Sequence, residues 1–209
     1  MGNRADNRSG FGMSLRPTMR PVKYSKAELE YRRAVNRSIY EVDKHLSCIF
    51  TMVMYDKFNW GLRKLSNCQE KIIKLKKDNQ QGLISAEELE QFAKIKKIDI
   101  NKKIKEIPMS QKLYIAGLSR VRAVKGIDAF VDSTLQAVYL LIVAVMKTDY
   151  KMSNENIYKL FDWMAYYIDS YFRKYTSDEG IVEAFKISEG VDIITGEKIS
   201  EEERMALYM

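Results

Sequence analysis

Side chains that commonly carry catalysis or bind metal are few among these 209 residues. The sequence has one histidine, His45, and two cysteines, Cys48 and Cys68. His45 and Cys48 lie about one helical turn apart, and Cys68 falls on the next predicted helix, so the three side chains could meet. A closed zinc site needs a fourth ligand, and neither C-x-x-C nor H-x-x-x-H spacing is present. We therefore expect no metal and no cofactor, and interpret these residues as core.

Other catalytic patterns are equally weak. The segment Thr195-Gly196-Glu197-Lys198 lacks the preceding glycine and strand of a phosphate-binding loop. Asp162 and Asp169 lie two turns apart on one predicted helix, but without neighbouring ligands they favour a solvated face or pairing with Arg173. We expect a protein that binds a partner and has no catalytic residues.

Basic residues form the main predicted binding site. They are expected to neutralise phosphates of a nucleic acid or a nucleoprotein complex, which releases counterions and makes binding weaken as salt rises. The residues are Arg4, Arg8, Arg16 and Arg20 in the N-terminal arm, Lys71, Lys74, Lys76 and Lys77 in a lysine-rich helical hairpin, and Arg120, Arg122 and Lys125 further on.

The charge is unevenly distributed along the chain. Residues 1–125 carry a formal charge of +14 and residues 126–209 a charge of −7. Such a molecule can present its basic part to a polyanion. The alternative is that these charges are ordinary solvated helix faces that maintain solubility.

A group of aromatic residues forms a second predicted site. Trp163, Tyr166 and Tyr167 lie off the apolar stripe of their predicted helix. Bases can stack on such rings, but the surrounding charge is acidic, which favours a second helix layer, an oligomer contact or a protein interface. A regulator or inhibitor of a bacterial defence enzyme that uses this face, and a virion or assembly component, therefore stay open as alternatives.

Apolar spacing and helix-start signals predict an all-α bundle of about six to eight helices with a flexible basic N-terminal arm. Prolines are rare, and serines followed three residues later by glutamate begin several helices. The predicted helices span about residues 25–57, 62–78, 85–107, 110–125, 127–146, 153–176 and 177–188, with a last one from Ser200.

The predicted organisation has three parts: an arm over residues 1–24, a helical half with the hairpin over 25–125, and an acidic helical half over 126–209 packed on the first. Shifting the chain by 92 residues places Leu46 to Leu65 over Val138 to Ile157 with matching apolar pattern and few identities. Either an internal duplication or the shared pattern of helical hairpins explains this match.

The run Phe58-Asn59-Trp60-Gly61, followed by Leu62-Arg63-Lys64-Leu65 and later by Gly82 to Leu89, resembles small helical accessory proteins of phages and prophages of Gram-positive bacteria. Those proteins show an aromatic-Gly-aromatic-Gly corner, and here Asn59 replaces the first glycine. The resemblance implies a fold and a bacterial source, with no assigned chemistry.

We expect a cytoplasmic protein without membrane contact, for three reasons. The two cysteines are expected to be free, and no signal peptide is visible. The apolar stretch from Leu135 to Met146 is too short to span a bilayer.

Overall fold

A computed structural model describes residues 25–118, 126–192 and 197–207, and within these ranges the fold is all-α as predicted. The arm residues Arg4, Arg8, Arg16 and Arg20, and the residues Arg120, Arg122 and Lys125, lie outside them. The described helices are α1 (Lys26–Asp56), α2 (Leu62–Gln80), α3 (Ala86–Ile95), α4 (Ile100–Glu106), α5 (Met109–Ile115), α6 (Ile127–Thr148), α7 (Asn154–Phe172), α8 (Asp178–Glu189) and α9 (Glu201–Ala206).

Serine caps begin five of these helices, as the sequence indicates. Each hydroxyl accepts a hydrogen bond from the backbone N–H three residues on, which satisfies one of the donors that a helix start leaves unpaired. The capping residues are Ser25, Ser85, Ser153, Ser177 and Ser200.

The helix predicted over residues 85–107 is two helices, α3 and α4. Lys97 adopts a left-handed conformation with φ of 57°, which ends α3. Asp99 then caps α4 by accepting a hydrogen bond from the N–H of Lys102 at 2.9 Å. The Ile98 side chain between them is buried. The apolar pattern continues across this bend, so spacing alone predicts a single helix.

The helix predicted over residues 110–125 also ends early, at Ile115. Gly117 has φ of 67°, and a Cβ there would lie 2.9 Å from both Arg37 Nε and Glu41 Cγ of α1. Glycine is required at this point, because the chain turns left-handed while it passes close to another helix.

Helix α6 lies at the centre of the bundle and contacts α1, α2, α3, α4 and α5. Its apolar residues occur on every side, as expected for a helix surrounded by others. With 22 residues and a mean hydropathy of 1.8 it is long and apolar enough to span a membrane, and more than half of it is buried within the bundle.

The predicted 92-residue correspondence is present in the backbone. At the end of α1 the N–H of Trp60 donates to the carbonyl of Met54, and at the end of α6 the N–H of Met152 donates to that of Met146, both at 3.0 Å. Between them Asn59 and Lys151 have positive φ angles of 52° and 51°. The two corners therefore follow the same path.

The match continues beyond the corners. Helices α2 and α7 each have 19 residues and start and end at equivalent positions. Each then turns through a left-handed residue, Gly82 in one half and Lys174 in the other. The next helices begin after Ser85 and Ser177, which are again equivalent positions. We call residues 35–95 the first repeat and residues 127–187 the second repeat.

The two repeats are interleaved. Helices α2 and α3 of the first repeat pack on α6 of the second, whereas α7 and α8 of the second pack on α1 of the first. Helices α1 and α6 also pack on each other, and the ring of Trp60 lies 4.7 Å from that of Tyr150 where the two corners meet. The α2 and α3 helices of the expected lysine-rich hairpin thus share α6 as their support.

Candidate nucleic-acid interface

A cleft with basic and aromatic walls lies where the two corners meet. It has a volume of about 550 Å³ and lies between the start of α2 and Tyr150, which is in the turn from α6 to α7. We call it the corner cleft, and it is lined by Gly61, Leu62, Arg63, Lys64, Asn67, Lys71 and Tyr150. Three of these side chains carry positive charge and none carries negative charge, so the cleft offers a site for an anion beside an aromatic ring.

The aromatic wall holds the cations close to its rings. Lys64 Nζ lies 3.9 Å from the ring centre of Trp60 and 5.7 Å from that of Tyr150. Lys71 Nζ lies 5.3 Å from the Tyr150 ring centre. The Tyr150 hydroxyl donates to Asn67 Oδ1 at 3.4 Å, which fixes the ring across α2. At Lys64 the cation–π contacts orient the ammonium group and leave its N–H donors for another ligand.

The start of α2 is electrostatically unusual. Its cap is Gly61, which supplies no side-chain hydrogen bond, and its first turn contains no acidic residue. Arg63 and Lys64 instead place two cations beside the positive end of the helix dipole. These choices cost local stability, and an anion bound in the corner cleft would offset them.

The equivalent start in the second repeat has the usual arrangement. Ser153 caps α7 through the N–H of Asn156, and Glu155 provides a negative charge in the first turn. Glu155 corresponds to Arg63 and Asn156 to Lys64. Because the backbone is the same at both starts, the cations at α2 are not a requirement of the fold.

The structure distinguishes among the predicted lysines of α2. Lys71 Nζ is paired with Asp149 at 2.6 Å, and Lys76 Nζ is paired with Asp43 at 2.8 Å. Lys74 and Lys77 are exposed, and neither forms an ion pair with another described residue. Lys74 and Lys77 therefore keep their charge available for a ligand.

The ion pair of Lys71 shifts the pKa of its partner. A hydrogen bond from Lys71 holds the pKa of Asp149 below its ordinary value of 3.8. Both side chains are partly exposed, which limits the pair's contribution to stability. Behind them, burial raises the pKa of the Cys68 thiol to about 12, so this cysteine is a neutral core residue.

The three aromatic residues of the second predicted site, Trp163, Tyr166 and Tyr167, lie on α7. Trp163 and Tyr166 are 37% and 58% exposed, with their rings 5.6 Å apart and perpendicular. Lys57 Nζ lies 4.3 Å from the Trp163 ring centre. Tyr167 is half-buried and donates a hydrogen bond to Asp56 Oδ2 at 3.2 Å. Two of the three aromatic residues thus face solvent, and the third is tied to α1.

A buried polar cluster joins α1 to the start of α8, and we did not predict it. Asp178 is 3% exposed and accepts hydrogen bonds from Lys44 Nζ at 2.9 Å and Tyr171 hydroxyl at 2.9 Å. His45 Nδ1 lies 2.8 Å from the same carboxylate. We call these residues the Asp178 cluster. It accounts for the one histidine as a structural group held by a carboxylate.

Opposing effects act on the carboxyl group of Asp178. Burial alone would raise its pKa, but the close approach of the His45 ring and the hydrogen bonds from Lys44 and Tyr171 hold it well below the ordinary value of 3.8. Nearby, burial and the charge of Asp178 raise the pKa of the Cys48 thiol to about 12. Cys48 is therefore protonated at neutral pH and unsuited to be a nucleophile.

Among the described residues, no group of three or more histidine, cysteine or acidic side chains is arranged to hold a metal ion. His45 and Cys48 lie near Asp178, whereas Cys68 lies near Tyr150, so the three residues do not form one group.

No protein family, curated protein or solved structure matches this chain.

Proposed function

We propose that the protein binds nucleic acid, or a nucleoprotein complex, through the corner cleft and the exposed cations of α2, without catalysing a reaction. The observation that carries the proposal is the start of α2, where Gly61, Arg63 and Lys64 replace the stabilising residues found at the equivalent start of α7. Phosphates would satisfy the uncapped N–H groups and the cations together.

The neighbouring groups extend the same chemistry. Lys74 and Lys77 continue the positive face along α2, so a phosphate backbone can follow the helix beyond the cleft. The ring of Tyr150 offers a surface on which an unpaired base can stack. This combination favours a single strand or a distorted duplex, and the arm residues Arg4, Arg8, Arg16 and Arg20 would add sequence-independent contacts.

The test is a titration of labelled duplex DNA, single-stranded DNA and RNA at several salt concentrations. In the double variant Arg63→Gln/Lys64→Gln we expect about a tenfold weaker Kd, and a salt dependence whose slope falls by about 1 to 2. Both side chains are exposed, so the fold should be retained.

The matched control removes the same charge from the second repeat. Lys159→Gln/Lys174→Gln should leave both Kd and slope nearly unchanged, because these residues lie on and beside α7, away from the corner cleft. Equal weakening by both variants would show a non-specific charge effect, and binding that ignores salt would contradict the proposal.

The exposed aromatic residues of α7 favour a second candidate function, binding of a protein partner such as a bacterial defence enzyme. Trp163 and Tyr166 leave apolar rings in solvent beside acidic residues, which suits a protein surface better than a phosphate backbone. A pull-down that survives Arg63→Gln/Lys64→Gln but fails with Trp163→Ala/Tyr166→Ala would select this function.

A further inference from the structure

A groove lies beside the corner cleft, between α2, α3 and the last turns of α6. Its volume of about 580 Å³ falls in the range of roughly 300–1,000 Å³ that is typical of small-molecule sites. We call it the α2–α3 groove, and its lining includes Lys71, Leu75, Asp78, Leu83, Phe92 and Ala144. Lys71 also lines the corner cleft, so the two cavities adjoin at this residue.

The lining of the α2–α3 groove combines apolar surface with hydrogen-bond acceptors. Its apolar part includes the half-buried ring of Phe92 and the buried side chains of Leu89 and Val145. Its charged residues are two lysines and three acids, Lys71, Lys74, Asp78, Glu88 and Asp149. The excess of carboxylates disfavours a phosphate inside the groove. It suits an uncharged ring with apolar faces and hydrogen-bond donors at its edge, which describes a nucleobase.

The equivalent place in the second repeat is filled by a side chain. Tyr167 of α7 corresponds to Leu75, and its hydroxyl donates to Asp56 at the end of α1. Asp56 corresponds to Thr148, which lines the groove together with Leu75. A tyrosine therefore spans, on an equivalent backbone, the gap that the groove occupies. The groove is thus not a requirement of the fold.

Two further positions differ between the groove and its filled equivalent. Ala144 corresponds to Met52, so α6 presents a methyl group where α1 carries a long side chain. Phe92 corresponds to Ala184, so α3 carries a ring where α8 has none. The three differences together leave a cavity in the first repeat and place an aromatic ring on its wall.

The two cavities lie on the same face of α2. Lys64 lines the corner cleft, Lys71 lines both cavities and Asp78 lines the groove. These residues follow each other at intervals of seven, which is close to two helical turns. Lys64 and Asp78 are therefore about 21 Å apart along the helix, at 1.5 Å per residue. A strand of a few nucleotides can contact both cavities at once.

We propose that the α2–α3 groove binds an unpaired base of a single strand whose phosphates occupy the corner cleft. This site rests on the proposed function and adds to it the class of nucleic acid. A base within a duplex is paired and stacked, so it would have to leave the helix to enter the groove. The ring of Phe92 supplies a stacking surface, and the carboxylate of Asp78 accepts a hydrogen bond from the edge of the base.

A binding titration of the full chain tests the groove with two strands. One is a single strand of DNA of about 12 nucleotides, and the other is an abasic strand of the same length. The two strands have the same phosphates and differ in their bases. We expect the natural strand to bind at least about tenfold more tightly, which is a factor that stacking of a base on an aromatic ring can supply.

The variant Phe92→Ala assigns this difference to the groove, because Tyr150 of the corner cleft also offers a ring. It should weaken binding of the natural strand by about tenfold, and leave the Kd of the abasic strand and the salt dependence unchanged. The matched control Phe172→Ala removes a ring of α7 that is 39% exposed and lies outside the groove, and should change neither Kd.

A second variant tests the groove without removing a ring. Leu75→Tyr/Ala144→Met gives the groove the side chains of its filled equivalent, Tyr167 and Met52. It should weaken binding of the natural strand by a similar factor and leave the abasic strand unaffected. Circular dichroism checks its fold, and if the larger side chains prevent folding, Phe92→Ala decides alone.

The outcomes separate this site from the proposed function. Equal binding of the two strands by the wild type, or equal weakening of both by Phe92→Ala, would overturn the base site. If Arg63→Gln/Lys64→Gln still weakens both strands in that case, the corner cleft stands and the groove alone fails. A wild type that binds neither strand at any salt concentration would overturn both.

Discussion

Helices α2 and α7 have the same length and the same approach and exit, yet they begin with opposite electrostatics. The turn before α2 ends at Gly61 and is followed by Arg63 and Lys64, while the turn before α7 ends at Ser153 and is followed by Glu155. The shared backbone is set by the buried positions and the left-handed corner residue. The exposed positions of the first turn are not constrained by packing, and there the two helices differ in charge.

The two predicted binding surfaces also share a backbone and differ in their exposed side chains, because they occupy equivalent positions in the two repeats. Lys71 and Lys74 of α2 correspond to Trp163 and Tyr166 of α7. Lys71 pairs with Asp149, and the equivalent contact in the other repeat joins Trp163 to Lys57. One pair of sites on a common scaffold thus carries an ion pair in one repeat and a cation–π contact in the other.

The contacts that hold the repeats together also differ. The N-terminus of α8 is fixed to α1 by the Asp178 cluster, whereas the residue equivalent to Asp178 is Ala86. In that half Gln136 donates a hydrogen bond to Glu90 at 3.0 Å. Buried charge is therefore concentrated at one of two otherwise similar interfaces.

We expect the largest change in stability when the carboxylate of the Asp178 cluster is removed. Asp178→Asn should lower the free energy of unfolding at pH 7 by about 2–3 kcal/mol, because it leaves Lys44 and His45 without their carboxylate. Chemical denaturation measures this loss. The control Glu90→Gln, which keeps a hydrogen-bonding partner for Gln136, should change stability by less than about 0.5 kcal/mol.

The same substitution should alter the acid response. Since folding lowers the pKa of Asp178, its contribution is complete above its ordinary value of 3.8 and is lost as pH falls from there toward the folded pKa. The wild type should lose stability over that acidic range, and Asp178→Asn should lose less of it. An equally steep decline in both proteins would assign the acid response to other carboxylates.

A smaller effect is expected from exchanging the two helix starts. Gly61→Ser/Arg63→Glu gives α2 the start of α7, and a Cβ at Gly61 meets no atom within 4 Å. We expect about 1 kcal/mol of added stability from the cap and the dipole, together with roughly tenfold weaker binding of nucleic acid. Thermal unfolding and the salt titration measure the two effects.

The reverse exchange at α7 completes the comparison. Ser153→Gly/Glu155→Arg should cost about 1 kcal/mol for the same physical reasons. If the exchange at α2 instead lowered stability, then Arg63 would have a structural role and the argument for an anion site would fail.

The smallest effects are expected at the corners themselves. Lys151→Gly should add about 0.5–1 kcal/mol of stability, because glycine adopts a φ of 51° without the strain of a Cβ. Asn59→Gly should add only a few tenths, because asparagine tolerates this conformation better than lysine. Urea denaturation of the two variants compares the corners directly, and a larger gain at Asn59 would contradict this explanation.

Much of the fold could be predicted from local sequence. The serines that begin five helices and the apolar stripes of α1, α2, α6 and α7 carry their signal within a few residues. The bend at Lys97 could not be placed, because the backbone on either side of it is bonded to the distant residues Asn154 and Tyr158. The end of α5 at Gly117 likewise depends on the close approach of α1. The interleaving of the repeats is likewise a property of packing.

The candidate site could be predicted only as a region. The sequence marks Lys71 and Lys76 as cations but does not reveal their partners, Asp149 just after α6 and Asp43 on α1. Arg63 and Lys64 are not among the residues that the sequence predicts to bind nucleic acid, and their significance appears only on comparison with Glu155 and Asn156 on the same backbone. A local signal existed, since a glycine cap followed by two cations is unfavourable at a helix start.

The interleaving of the repeats has a consequence for a broken chain. Because α7 and α8 rest on α1, while α2 and α3 rest on α6, each piece of a molecule cut between residues 118 and 126 would hold the apolar surface that the other needs. The fragments should therefore remain together as a non-covalent complex and separate only when both unfold.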